Sequence, residues 1–185
     1  MNILQPYMMN LATEFLTSCI KRFGEYKSLG EKTFAQLSEE EFHFQPNEAS
    51  NSIAVIIQHL HGNMISRWTN FLTEDGEKPW RKRDAEFEAR LLTKKDLMVL
   101  WEEGWNVVLE SLSSFTEEDL LKTITIRSQP LIVIDAINRQ MAHYSYHVGQ
   151  IGYLGRWMKN SQWKSLSIPK GDSLTFNKEM EAKKV

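Results

Sequence analysis

Apolar residues return every third or fourth position in four separate stretches of this chain, each roughly 20 to 30 residues long. That spacing is the period of an α-helix with one buried face, and four such helices without a convincing strand imply an all-α, four-helix bundle. The first stretch runs from about Tyr7 to Leu37 and carries Leu11, Phe15, Cys19, Phe23 and Tyr26 on one stripe. Gly30 near its end is a place for a kink or fray, because glycine is a poor helix former. Ser38 with Glu41 three residues on has the pattern of a capping box. The second helix starts at Ser50 or Ser52, buries Ile53, Ile56, Ile57, Leu60, Met64 and Phe71, and stops before the turn dipeptide Asp75-Gly76. Thr93 with Asp96 opens the third, whose stripe is Leu97, Leu100, Trp101, Trp105, Val108 and Leu112. The fourth spans about Leu131 to Met158, centred on Ile137, Met141, Val148 and Ile151.

The links matter as much as the helices. Those between helices two and three and between three and four are about 20 and about 15 residues, too long for a simple up-down bundle, so they permit a crossover. The first link, "EDGEKPWRKRDAEFEARL", mixes charges densely and reads as a solvated connection. In the second, "KTITIR" alternates like a short extended segment but has no obvious partner strand. Residues 1–165 read as the bundle domain and 166–185 as a C-terminal tail.

With 185 residues, 42% of them hydrophobic, and six Trp and nine Phe, the chain can fill one sizeable core. A formal net charge of −2 gives no basic footprint, so nucleic acid is not an expected partner. The single cysteine, Cys19, lies among Leu16, Ile20 and Phe23, reads as buried, and cannot form an intramolecular disulfide. "MNILQPYMMNLATEF" does not read as a signal peptide, and no run reaches the roughly 20 apolar residues that span a bilayer. The expectation is a cytoplasmic protein with no membrane partner.

Chemistry is suggested mainly by histidine. His143 and His147 stand four apart, so on a helix both project from one face a turn apart. Such a pair can share one divalent metal, but alone it is a weak signal, and two polar residues at the rim of a core are the plainer reading. At about 100° per residue, the pair lies roughly 80–120° from the centre of its apolar stripe, in line with Ala136, Gln140, Gln150 and Leu154. His59 lies on the matching flank of the second helix, and His61 on the opposite one. Asn63 and Arg67 continue the His59 flank. Asn63 is a candidate to orient a ligand or water, and Arg67 either meets an anionic substrate group or forms a surface ion pair. Arg81 and Arg83 share that ambiguity. His43 reads as a structural hydrogen-bonding residue and His61 as a surface or loop contact. Tyr144 and the tryptophans Trp68, Trp101 and Trp105 read as packing residues. Gly149, Gly152 and Gly155 read as sites of close helix approach.

"SIAVIIQHLHGN", followed later by "HYSYHVGQI", resembles the DinB-like superfamily of metal-binding four-helix bundles, in a branch labelled a domain of unknown function. The likeness extends over "LSEEEFHFQPNEASNSIA", "SRWTNFLTEDGEKPWRKRDAEF" and "SIPKG", nearly the whole chain. It implies a metal held by His59, His143 and His147, with positions left open. Three imidazoles suit Zn, Ni or Fe, and an open position is the mark of a catalytic site. The resemblance further implies a homodimer. It also implies a metal-dependent transferase or hydrolase acting on a small molecule, with a low-molecular-weight thiol as one possible partner. The other reading it leaves is a non-catalytic, stress-related binding module with a structural or vestigial metal site. It designates no catalytic side chain; Asn63 and Arg67 are the substrate-binding candidates. His61 departs from the small residue associated with its position.

Overall fold

The structure, a computed structural model, describes residues 10–183, so Tyr7 of the first helical stretch lies outside the described residues. Six α-helices occur in it: α1 (Leu11–Phe34), α2 (Glu39–Phe42), α3 (Ile53–Trp68), α4 (Lys94–Ser114), α5 (Val133–Lys159) and α6 (Ser173–Ala182). Polar side chains set their starts. Asn10 accepts the Ala12 N–H at 3.0 Å, Ser52 accepts the Val55 N–H at 3.3 Å, and Thr93 and Asp96 cap each other reciprocally. α1 continues through Gly30 unbroken, where the missing side chain leaves room for the Trp101 indole.

The four long helices, α1, α3, α4 and α5, form the bundle, and aromatic residues join all four at its centre. Phe23 of α1 makes edge contacts with Trp68 of α3 (5.9 Å between ring centres), Trp105 of α4 (6.3 Å) and Tyr144 of α5 (5.9 Å). Edge-on geometry suits the ring quadrupoles and adds to the burial of large apolar surface. Cys19 is buried beside this cluster, and burial pushes its thiol up to about 11.

Contacts between helices fix their directions. His61 meets Glu103, and the Trp68 carbonyl accepts from Ser111, so α3 and α4 run parallel. Asn10 and Thr13 meet Glu117 while Lys94 caps the carbonyls of Phe34 and Leu37, so α1 and α4 are antiparallel. Parallel neighbours need a connection that travels the length of the bundle, and residues 69–93 supply it. This crossover corrects the expectation of a solvated loop: Phe71 and Lys78 are buried, and the Arg81 side chain is 2% exposed. Its buried charges are paired, Lys78 with Glu74 and Arg81 with Glu77 and Glu86, which lets that part of the segment pack against α3.

"KTITIR" does have a partner. β1 (Thr123–Ile126) pairs antiparallel with β2 (Gln129–Ile132), in register Thr123 with Ile132 and Ile126 with Gln129. The partner strand takes in Leu131 and Ile132, the expected first residues of the fourth helix, and α5 starts only at Val133. The turn between the strands is Arg127-Ser128, which lacks the Asn-Gly type of signal that marks a two-residue hairpin. The tail carries α6, whose residues are exposed.

On α5, Gly155 faces Thr33 of α1 closely, as expected, but Gly149 and Gly152 face open space. A methyl at the two kinds of position has opposite consequences. Gly155→Ala is expected to destabilise the protein by about 1–3 kcal/mol through overpacking, and Gly149→Ala to stabilise it by about 0.5–1 kcal/mol through helix propensity. Urea unfolding of the two variants checks both signs.

Candidate metal centre

α3 and α5 present His59, His143 and His147 to a common point. The Nε2 atoms of His59 and His143 are 3.3 Å apart and those of His143 and His147 are 3.2 Å apart. One nitrogen from each ring lies within 4.8 Å of the others. The i, i+4 spacing on α5 aligns two rings, and the antiparallel approach of α3 brings the third. His59 is buried rather than at an open rim, because the crossover covers it: its ring stacks on Phe87 at 4.7 Å.

The outer nitrogens of two rings are fixed. His59 Nδ1–H donates to Glu86 Oε2 at 2.9 Å, and His147 Nδ1–H donates to Gln150 Oε1 at 2.8 Å. A carboxylate and an amide oxygen only accept, so both Nε2 atoms carry lone pairs toward the shared point. His143 has one ring proton and can answer only one of them through Nε2. Its Nδ1 is buried and has no hydrogen-bond partner. Converging lone pairs of this kind fit a cation, and the Nδ1 contacts are the supports that metal-binding histidines use.

Glu86 is itself held. Arg81 donates to both its oxygens, Nε to Oε1 at 2.7 Å and a terminal nitrogen to Oε2 at 2.8 Å. Burial alone would raise the Glu86 carboxyl, but Arg81 and His59 outweigh it and hold it below its ordinary value. Gly62 makes the approach possible: a Cβ there would collide with the Glu86 side chain.

Asn63 and Arg67 line the same cavity as the triad, which has a volume of about 300 Å³. The Asn63 oxygen accepts from Tyr144 Oη at 3.1 Å, which accepts in turn from Trp68 Nε1 at 2.9 Å. Arg67 is not a surface ion pair. It is buried, donating to the Gly76 carbonyl and to Glu77 at 2.9 Å. His61 points away from the triad, to Glu103, and His43 donates to the Leu92 carbonyl at 2.8 Å. Sequence reasoning missed Glu86, Phe87, Arg127 and Arg139 as neighbours of the site. Arg139 had a signal, since it continues the i, i+4 line of His143 and His147; Glu86 and Phe87 sit in a link without periodicity and had none.

A helical bundle whose facing helices bring three histidines together is the class that fold and site define. The chain belongs to the family described as "Protein of unknown function (DUF1572)", which matches residues 10–172. Among solved structures it is similar to the crystal structure of a DinB-like protein, YjoA, from Bacillus subtilis, at 19% identity and a TM-score of 0.54, over 82% of this chain and 96% of that one. The fold is therefore DinB-like. No curated protein matches the chain.

Two outcomes follow from the site's electrostatics and its buried polar chain. Burial, then the nearby His147 and His59, pushes His143 down to about 3, and burial pushes His147 down to about 4 against the opposing Gln150 contact. Unfolded histidine titrates at about 6.5. Between those values the unfolded chain takes up protons that the folded chain refuses, so stability falls as pH falls. The Tm of the metal-free protein is expected to drop from pH 6.5 toward 4, and a His143→Gln/His147→Gln variant to lose less over that interval. Tyr144→Phe leaves the Trp68 N–H and the Asn63 oxygen without their partner, and is expected to cost about 1–3 kcal/mol in denaturant unfolding.

Proposed function

We propose that this protein binds a divalent metal through His59, His143 and His147 and uses it on a small molecule, in a reaction of the transferase or hydrolase type. One observation carries the reading: two of the three rings have their Nδ1–H groups committed, so their Nε2 lone pairs converge. When bound, the cation supplies Lewis acidity, which lowers the pKa of a water or thiol that reaches it. Three neutral imidazoles leave positions for such a ligand.

The chain's own residues have separable roles in this scheme. Glu86 orients His59 and fixes its tautomer, while Arg81 keeps Glu86 ionised. Gln150 does the same service for His147. Phe87 covers the His59 ring and limits water on that side. Asn63 and Arg67 face the substrate from the α3 wall, Asn63 through its amide and Arg67 through its charge. Depressed imidazole pKa values keep His143 and His147 neutral at pH 7, ready to ligate without displacing a proton.

Elemental analysis of protein purified without a polyhistidine tag or chelator tests the proposal. One equivalent of metal per chain is expected, lost in His143→Ala and in His147→Ala. Glu86→Gln should retain the fold and bind metal about 10–100-fold more weakly, as loss of a supporting contact does. Wild-type protein that takes up no Zn²⁺, Ni²⁺ or Fe²⁺ on incubation would overturn the reading.

A further inference from the structure

Five arginines wall the cavity that opens from the histidines: Arg67, Arg81, Arg83, Arg127 and Arg139. No Asp or Glu lines it. Among the described residues, three carboxylates lie within ion-pair reach of those guanidiniums. Glu77 meets Arg67, Arg81 and Arg127; Glu86 meets Arg81; and exposed Asp84 meets Arg83 at 3.6 Å. Arg139 has no ion pair among the described residues. Five cations answered by three anions leave the wall positive before any metal arrives.

Two further observations point to a ligand. Arg67 is 4% exposed, lines the cavity, and has a buried donor without a partner, its Nε–H. Buried polar atoms are rarely left so unless something else satisfies them.

The second is backbone strain. Arg127 and Ser128 both take left-handed φ values, 55° and 59°, which non-glycine residues seldom adopt. The Asp75 carboxylate holds this turn by accepting the N–H groups of Arg127 at 2.9 Å and Ser128 at 2.8 Å. Asn-Gly would close the same hairpin without strain. The chain instead places an arginine there, and its side chain reaches the cavity wall. Strain at two adjacent residues, held by a dedicated clamp, is a common companion of function.

We infer that the cavity is an oxyanion subsite, which takes the carboxylate or phosphate group of a small-molecule substrate, with Arg127 and Arg139 as the arms that meet it. The planar guanidinium fork suits either group, and a volume of about 300 Å³ sits at the small end of small-molecule pockets. The inference rests on the metal reading only for the reaction; anion binding itself belongs to the arginines.

Titration calorimetry on the metal-free full-length protein, with inorganic phosphate and succinate as separate probes, tests it and tells the two anion types apart. At least one probe should bind at one site per chain. Arg127→Gln and Arg139→Gln should each weaken that binding about tenfold or more, in keeping with loss of a charge-assisted contact. A Lys21→Gln/Lys95→Gln control, which removes two exposed charges elsewhere, should leave it unchanged. Arg139→Gln alone, on an exposed helix position, keeps the test readable if the hairpin variant unfolds. Failure of both probes to bind overturns the inference, as does binding that both arginine variants retain or that the lysine control loses equally. Since the readout needs no metal, absent metal uptake would leave a positive result standing. Metal uptake without arginine-dependent anion binding would overturn this inference alone.

Discussion

The contact between Glu86 and the α3 backbone at Gly62 is the constraint from which the site takes its form. A buried carboxylate is costly unless its charge is met and its oxygens are hydrogen-bonded. Here Arg81 grips both oxygens and His59 takes one of them. The same contact fastens the crossover to α3, closes the roof over His59 with Phe87, and sets which nitrogen of His59 faces inward. One acidic side chain thus links loop placement, burial and imidazole orientation.

Around it, the bundle supplies rigidity rather than chemistry. Phe23, Trp68, Trp105 and Tyr144 join the four long helices at one level, so α3 and α5 have little freedom to change their separation. The Trp68–Tyr144–Asn63 hydrogen bonds carry this fixed spacing to the edge of the cavity. Side chains set on such elements are held more precisely than side chains set on loops.

The helices were legible in the sequence because their periodicity is strong and their caps are ordinary. His59, His143 and His147 were legible together because helical angles place them on matching flanks, and the resemblance to DinB-like proteins gave that match a meaning. The crossover was not legible. Its arginines and glutamates have the composition of a solvated loop, and only the partners that each charge finds in space turn it into a packed segment. The hairpin was missed for a related reason: its turn uses Arg127 and Ser128, held by Asp75 from some fifty positions away, so the signal that defines it is not local. Arg67 was placed on the correct flank, but its burial depends on Gly76 and Glu77 of the crossover and could not be read from α3 alone.

His59 and His143 lie 84 positions apart. Between them the chain must lay down the crossover, α4 and the hairpin before α5 can dock. No shorter segment contains the three-histidine point, even in rough form. Distant pairings of this sort form slowly, after local structure, because loop closure must be completed first. A nascent chain that has not reached His143 therefore holds at most one of the three imidazoles, and only a chain extended past His147 contains the whole cluster.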